Sequence, residues 1–369
     1  MKAGHGLKNP WRPWHGGRVR GLVLLSWLGL LACASGMAGA VTAAPVVSDA
    51  DAAFVRKIYA GWYLPRAAEF AEQASRLTAT LDTLCRTETA VDAAQAIEPA
   101  RKQWTRTVQT WEALSAVRGG ALLARRSPRE IDFTPARPEA IQRAVRSAPA
   151  DSRAMERVGS PAKGLPALEW LLWTQPVRSQ SPECRYAHRV AAEIQAESLA
   201  LQQAYGLSLQ HGWDAQEVEY AIYEFLNLFD AGIQKLWWED MHRPQQRAAT
   251  GAKSASFSRS ASGTTVQMWQ LHWQALRRLA IEDAAAPDSL SLQAYLVAKG
   301  HPAEAGRLPV LVAEVDRTMA NLDDAKDEAA LNKRIGQAAA ALKALQQFVE
   351  QDMAHALQFI ISFFDEDGD

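Results

Sequence analysis

Residues 97–114 read IEPARKQWTRTVQTWEAL. Large apolar side chains return in this stretch every three, four or seven positions; they are Ile97, Trp104, Val108, Trp111 and Leu114. That spacing places them on one face of an α-helix, so the sequence predicts a helix over 91–117. The stretch decides the fold class because the same pattern recurs along most of the chain.

Further helical patterns follow the same periodicity. They cover residues 51–88, 184–205, 214–240, 264–283, 303–322 and 328–359. No stretch alternates apolar and polar residues as a strand would, and Pro65 is expected to kink or split the first of these helices. Long helices without strands bury their apolar faces against one another. We therefore expect an all-α fold of two up-and-down helical bundles packed side by side.

Two polar segments divide the helical patterns. Residues 118–163 contain the RGG sequence, several prolines and serines, and they predict a long connector holding two short helices. Residues 243–263 are rich in small and polar side chains and predict a second connector. These segments suggest an N-terminal bundle over 50–208 and a C-terminal bundle over 209–369.

Composition and charge exclude one broad class of function. The chain has 369 residues, with 40 Lys and Arg against 41 Asp and Glu, which gives a formal net charge of −1. A protein that coats nucleic acid carries a basic excess, so no nucleic-acid partner is expected. The 13 tryptophans indicate a heavily packed core or an apolar cleft.

The N-terminus has the features of an export signal. Basic residues precede the apolar run GLVLLSWLGLLACA at 21–34, which is short for a membrane span. We assign residues 1–44 to this signal, with two alternatives for cleavage. LLAC ends at Cys33 and resembles a lipobox, whereas AGA, ending at Ala40, resembles an ordinary secretion site. Both predict a periplasmic protein, and the first adds a lipid anchor on Cys33 as its only attachment to the membrane.

Two cysteines remain after the signal. Cys85 and Cys184 are far apart in sequence and lack zinc-type spacing. In an oxidising compartment such a pair predicts a disulfide that clamps two helices. The alternative is a metal-binding or reactive thiol pair.

Several charged or polar residues lie among aromatic residues and are candidate ligand-binding residues. Glu112 follows Trp111, and Arg118 ends the same predicted helix. Arg259 and Ser260 lie in the second connector, just before a Trp-rich helix. A buried carboxylate is unfavourable unless it is paired or bound to a ligand, so an acid such as Glu112 is expected to have an arginine, a metal ion or a polar network nearby.

The stretch GLPALEWLLW at 164–173 contains one acid, Glu169, in an apolar run. With Pro166 at the first position of a helix, Glu169 would lie in the first turn and interact with the helix dipole. The alternative is a buried carboxylate that lines a cleft, with Arg259, Arg118 or a cation as its partner.

Common catalytic motifs are absent from the sequence. It has no HExxH, G-x-S-x-G, Walker or G-x-G-x-x-G motif. His301 and Glu304 have a metal-pair spacing, but Pro302 predicts that a helix begins there instead. The acids at 365–369 are expected to form a solvated tail.

Several of these stretches together resemble the imelysin family. They are WTRTVQTWEALSAVRGGAL, REIDFTP, GLPALEWLLW, ECRYA and the terminal DEDGD, and the resemblance covers about 55–369. It implies a double helical bundle with a site between the halves, in a periplasmic protein or lipoprotein. The family's best-known motif is G-x-H-x-x-E, proposed to bind metal. Gly164 and Glu169 match it, but Pro166 replaces the His.

The resemblance and the residues lead to a set of functional expectations. We expect an exported protein that is linked to iron uptake, with envelope iron-uptake components as partners and with a binding role rather than an enzymatic one. Glu112 and Glu169 would bind iron or another divalent cation, or Arg118 and Arg259 would bind an anionic ligand. The alternatives are a divergent metallopeptidase of the imelysin peptidase family and a non-catalytic scaffold for envelope partners.

Overall fold

The structure is a computed structural model, and it describes residues 47–86, 93–174, 177–251, 256–282 and 290–360. The predicted export signal with Cys33 and the predicted acidic tail lie outside the described residues. The described part of the chain is helical and contains no strand. The predicted all-α class is therefore confirmed.

Helices of the first half follow the predicted periodicity. Their bounds are α1 Asp49–Arg56, a π-helical segment Lys57–Tyr63, α2 Leu64–Arg86, α3 Ala93–Ser115, α4 Ala121–Arg125, α5 Ser127–Ile131, α6 Pro138–Ser147, α7 Ser152–Met155, a 3-10 turn Ser160–Ala162, α8 Gly164–Glu169, a π-helical segment Trp170–Thr174 and α9 Pro182–Gln210.

Helices of the second half also follow the predicted periodicity. Their bounds are α10 Ala215–Gln234, a π-helical segment Lys235–His242, α11 Arg243–Ala249, α12 Thr265–Ala280, α13 Leu292–Ala298, α14 Pro302–Ala320, a 3-10 turn Asn321–Asp324, α15 Glu328–Phe348, a π-helical segment Val349–Met353 and α16 Ala354–Leu357. None of the described helices has the length and apolar character that a membrane span requires.

Pro65 lies at the second position of α2, directly after a π-helical segment. The backbone N–H of Leu64 donates to the carbonyl of Tyr59, five residues earlier, which is the π-helical bond. Because proline has no N–H to donate, this wider turn accommodates it without ending the helical path.

Both connectors are more helical than expected. Residues 118–163 hold the four short helices α4 to α7 and a 3-10 turn, instead of two short helices. Prolines explain the difference, since Pro128, Pro138 and Pro161 each occupy one of the first two positions of a short helix, where a missing N–H costs nothing. The second connector is shorter than expected because the chain stays helical to Ala249.

The disulfide joins two of the longest helices. Cys85, near the end of α2, is bonded to Cys184, at the start of α9, with their Cα atoms 5.6 Å apart. Helix α2 packs along both α9 and α3, and their contact faces form much of the first-half core. The prediction of a disulfide between two helices is confirmed.

Helix α12 connects the two halves of the sequence. It packs against α3 from the first half and against α10 and α14 from the second. Helix α1 packs on α10 and α13. The chain from Val47 onward groups into one compact unit. The α3–α12 contact brings together the polar residues described next.

Candidate functional site

Five polar residues from separate elements, four of them buried and one half-buried, meet between α3, α8 and α12. We call them the Arg259 cluster; its members are Glu112, Asp132, Glu169, Arg259 and His272. Helix α3 carries Glu112 and α12 carries His272, whereas Asp132 follows α5, Glu169 closes α8 and Arg259 lies in the turn before α12. The cluster therefore depends on the packing of the whole fold.

Arg259 is the centre of the cluster, and only 4% of its surface is exposed. Its Nη2 donates to Asp132 Oδ1 at 2.7 Å and lies 3.4 Å from Glu112 Oε1. The backbone of Arg259 is left-handed, with φ of 63°, a conformation that costs a non-glycine residue free energy. Two donors of the guanidinium, Nε and Nη1, have no hydrogen-bond partner among the described residues.

Two tryptophans of α3 help to hold the surrounding segments. Trp111 Nε1 donates to Asp132 Oδ2 at 2.9 Å, so both oxygens of this carboxylate are bound. Trp104 Nε1 donates to the carbonyl of Leu165 at 3.0 Å, and its ring centre lies 5.7 Å from the Arg259 guanidinium carbon. The tryptophans thus contribute polar contacts as well as apolar surface.

Glu112 is a buried carboxylate matched by several positive charges. Burial alone would raise its pKa, but the neighbouring His272 and the charges of Arg259 and Lys235 outweigh burial and lower the pKa to about 2. His272 Nδ1 lies 3.5 Å from Glu112 Oε2, and His272 Nε2 lies 3.2 Å from the carbonyl of Gly232. Because a carbonyl only accepts, Nε2 carries a hydrogen.

Glu169 is held by the turn that carries Arg259. Its Oε1 accepts from Ser262 N at 2.9 Å and from Ser262 Oγ at 2.8 Å. Burial opposes the charge of Arg259, but the carboxylates of Asp132, Glu112 and Glu169 together raise its pKa. Arg259 is therefore charged, and Glu169 stabilises both its charge and the turn from which it projects.

The expected position of Glu169 in the first turn of its helix is wrong. Helix α8 begins at Gly164, so Pro166 is its third residue and Glu169 its last. Gly164 has φ of 74°, and a Cβ there would lie 2.3 Å from the carbonyl oxygen of Ile131. This close approach of α8 to α5 requires glycine and starts the helix two residues early. Glu169 is only 7% exposed, as in the alternative of a buried carboxylate.

The other two predicted site residues lie apart from these contacts. Arg118 is half-buried and lines a small cavity with Ser115, Gly232 and Lys235. Ser260 is exposed, and its hydroxyl donates to the carbonyl of Phe257. Of the residues predicted from the sequence, the structure thus brings together Glu112 and Arg259 directly, and Glu169 through Ser262.

Asp132, Ser262 and His272 were not among the predicted site residues. His272 could have been found, because it lies four residues from both Met268 and Leu276 on the apolar face of α12. A polar residue on such a face requires a partner. Ser262 has no comparable signal, since it lies in a run of serines and its contact with Glu169 exists only in the folded chain.

The Arg259 cluster fits a ligand with acceptor atoms better than a resident metal ion. Among the residues that the structure describes, no group of three His, Cys, Asp or Glu side chains could hold a metal ion. Glu112 already faces Arg259 and His272, and a cation beside it would meet the guanidinium charge. The metal-binding role of Glu112 and Glu169 stays a prediction.

Comparisons with known proteins agree with this fold. A search of curated proteins finds no match. An imelysin-like protein from Psychrobacter arcticum 273-4 is similar in structure, with a TM-score of 0.69 and 13% identity, over 86% of this chain and 99% of that one. A putative iron-regulated protein A precursor from Parabacteroides distasonis ATCC 8503 has a TM-score of 0.62 and 14% identity, over 84% of this chain and 97% of that one.

The family comparison covers most of the described structure. The family model described as Peptidase_M75, Imelysin, matches residues 63–354. That range includes every member of the Arg259 cluster and both cysteines of the disulfide. The chain belongs to the imelysin family.

Proposed function

We propose that this protein is an exported, non-catalytic binding protein that serves iron uptake. It is lipid-anchored in the periplasm through Cys33, and it binds a small carboxylate-bearing ligand at the Arg259 cluster. Glu112 and Asp132 orient the guanidinium in this proposal, and Glu169 holds the turn that carries it.

The observation that carries the proposal is the state of the Arg259 guanidinium. Nη2 is bound by acids, but Nε and Nη1 have no partner among the described residues although the side chain is buried. Buried donors without partners are rare in folded proteins and cost about 1–3 kcal/mol each. Ligand oxygens that accept from Nε and Nη1 would remove this cost. These two donors point along different edges of the guanidinium, so each needs its own acceptor, and a ligand with more than one carboxyl group supplies them.

The link to iron uptake rests on family membership and on one structural neighbour. The similar structure from Parabacteroides distasonis is described as a putative iron-regulated protein A precursor. That name supports a link to iron for this chain, and the matching family model places the chain in the same family as imelysin-like proteins. Under the proposal, the ligand at Arg259 is an organic acid that binds iron or accompanies it.

Calorimetric titration of the mature protein with citrate and ferric citrate tests the ligand. We expect R259K to weaken binding by about tenfold or more, because lysine keeps the charge but loses the donor fork. R247K serves as the control, since Arg247 lies in α11, away from the cluster contacts. Equal affinity of R259K and R247K, or no binding by the wild-type protein, would contradict the proposal.

Export and anchoring need a separate experiment. The sequence LLAC at 30–33 and the disulfide between Cys85 and Cys184 support an oxidising compartment. Expressed in bacteria with labelled palmitate, the full chain should become labelled, whereas C33S should stay unlabelled. Release of unlabelled wild-type protein into the soluble periplasmic fraction would instead favour cleavage after Ala40.

A further inference from the structure

A second cavity lies in the connector between α5 and α8, away from the Arg259 cluster. Its volume is about 420 Å³. The residues that line it come from α6, from the residue just before it and from the segment between α7 and α8; they are Arg137, Ala140, Arg143, Ala144, Ser147, Arg157, Val158, Gly159, Pro161 and Ala162. Small apolar residues form one wall, and three arginines supply the charge.

Helix geometry explains why the cavity has this shape. Ala140, Arg143 and Ser147 follow one another at spacings of three and four residues, so they lie on the same face of α6. The backbone N–H of Arg137 donates to the carbonyl of Pro161 at 2.9 Å, which fixes the start of α6 against the opposite wall. The alanines leave open a volume that larger side chains would fill.

The charge of the cavity is not compensated within the described residues. No acidic side chain is among the residues that line it. Arg137, Arg143 and Arg157 form no ion pair and no side-chain hydrogen bond within that part of the chain. Glu130, on the preceding helix, is paired with Lys163 at 2.9 Å instead. Three guanidiniums of the same charge around one cavity raise its affinity for an anion.

We propose that this cavity binds the phosphate group of an organic phosphate, with the apolar wall contacting its carbon chain. A phosphate monoester carries about −1.5 to −2 charges and three acceptor oxygens, so it can accept from three separate arginines. A single carboxylate has one charge and two oxygens and would leave part of the set unmatched. The volume exceeds that of the phosphate group, which leaves space for the organic part.

The phosphate has two possible sources, a soluble phosphate ester or a phospholipid headgroup. Glycerol 3-phosphate tests the first by calorimetry. Vesicles of phosphatidylcholine with phosphatidylglycerol test the second by co-sedimentation, and phosphatidylcholine alone is the neutral comparison. The mature protein without its lipid anchor is used, so that only the cavity can attach it to the vesicles.

Two double variants, each of which removes two positive charges, separate binding in the cavity from general electrostatic attraction. All four arginines are exposed, but R143Q/R157Q removes two that line the cavity, whereas R146Q/R153Q removes two that do not. We expect the first variant to weaken binding of the phosphate probe at least about tenfold and the second to change it little. A140L, which fills the cavity, should also weaken binding.

Each outcome decides the inference. Binding of glycerol 3-phosphate or of the anionic vesicles that R143Q/R157Q loses and R146Q/R153Q keeps supports it and identifies the source. Failure of both probes to bind overturns it, and so does an equal loss in the two variants, which would indicate general electrostatic attraction. R259K should bind the phosphate probe as the wild type does, so this test is independent of the Arg259 proposal.

Discussion

Removal of the Arg259 guanidinium would leave two carboxylates, the buried Glu112 and the half-buried Asp132, without their shared cation. We expect R259M to lower the free energy of unfolding by about 3–5 kcal/mol, because an unpaired buried charge is far more costly than a missing pair. Urea unfolding at neutral pH measures the change. In the double variant R259M/D132N part of the loss should return, and a strictly additive effect would contradict the pairing.

Asp230 makes the stability depend on pH in the opposite direction to most acids. Burial raises its pKa from 3.8 to about 7, although Gln346 donates a hydrogen bond to it, and the nearby charge of Glu350 adds to the rise. The unfolded chain loses this proton at lower pH than the folded one. The contribution of Asp230 to stability therefore falls as the pH rises from about 4 to about 7.

D230N removes this dependence. We expect the free energy of unfolding to rise by about 1–3 kcal/mol at pH 8 and to change little at pH 4, since at low pH the native carboxyl is already neutral. Unfolding curves at both pH values test this. D352N is a suitable control because Asp352 is on the surface beside Arg307. A gain at pH 4 as large as that at pH 8 would show that the charge is not the cause.

Buried acids are easier to predict from the sequence than the residues that pair with them. Glu112 and Glu169 are conspicuous because their neighbours are apolar. Their contacts to His272 and Ser262 join residues more than 90 positions apart, and no local pattern encodes such pairs. Arg118 and Ser260 were reasonable candidates by composition, but the direction of each side chain is set by the fold.

At the scale of elements, Gly232 permits the close approach of α10 to the end of α3. A Cβ at this position would lie 2.1 Å from the carbonyl oxygen of Ala116 and 3.1 Å from Leu276 Cδ2. The Gly232 carbonyl is also the partner of His272 Nε2. We expect G232A to destabilise the protein by about 1–3 kcal/mol, because backbone must move to admit the methyl group.

Gly206 is the matched control for this prediction. It lies inside α9, and a Cβ there would meet no atom within 4 Å. G206A should raise the free energy of unfolding by about 0.5–1 kcal/mol, because alanine favours the helix. Thermal unfolding of both variants gives the comparison. Similar shifts of Tm for G232A and G206A would mean that helix propensity, and not interhelical contact, controls position 232.

Helix positions were predictable because long apolar stripes override local irregularities. Residues 303–322 were predicted as helix and α14 spans Pro302–Ala320, for example. The π-helical segments were not predicted, since one extra residue per turn barely disturbs the apolar period. The connector over 118–163 was misjudged because proline both ends and begins helices, and only the fold shows which.

At the scale of the whole molecule, the first helix of the described chain closes against helices of the second half. Asp51 in α1 accepts from Tyr295 Oη at 2.6 Å and from Lys299 Nζ at 3.0 Å, and both partners belong to α13 or its end. The Phe54 ring stacks on Tyr295 with centroids 4.0 Å apart. The division into bundles at 208 and 209 stays a prediction, and these contacts cross that boundary.

Loss of the Tyr295 hydroxyl tests how much this contact between α1 and α13 contributes to the free energy of unfolding. Y295F keeps the ring stack but removes the donor to a buried carboxylate, so we expect it to lower the free energy of unfolding by about 1.5–3 kcal/mol at pH 7. Y220F is the control, because Tyr220 is 55% exposed. An equal effect of the two variants would mean that the hydroxyl of Tyr295 does not stabilise the closure.

The pH dependence of the Y295F effect identifies Asp51 as the acceptor. Burial alone would raise the Asp51 pKa, but hydrogen bonds from Tyr295, Ser48 and Lys299 lower it from 3.8 to about 2. The carboxylate therefore contributes its stability above about pH 4, and this contribution is lost as the pH falls toward 2. The difference between wild type and Y295F should shrink over the same range in urea unfolding. A difference that stays constant down to pH 2 would place the lost hydrogen bond on a group other than Asp51.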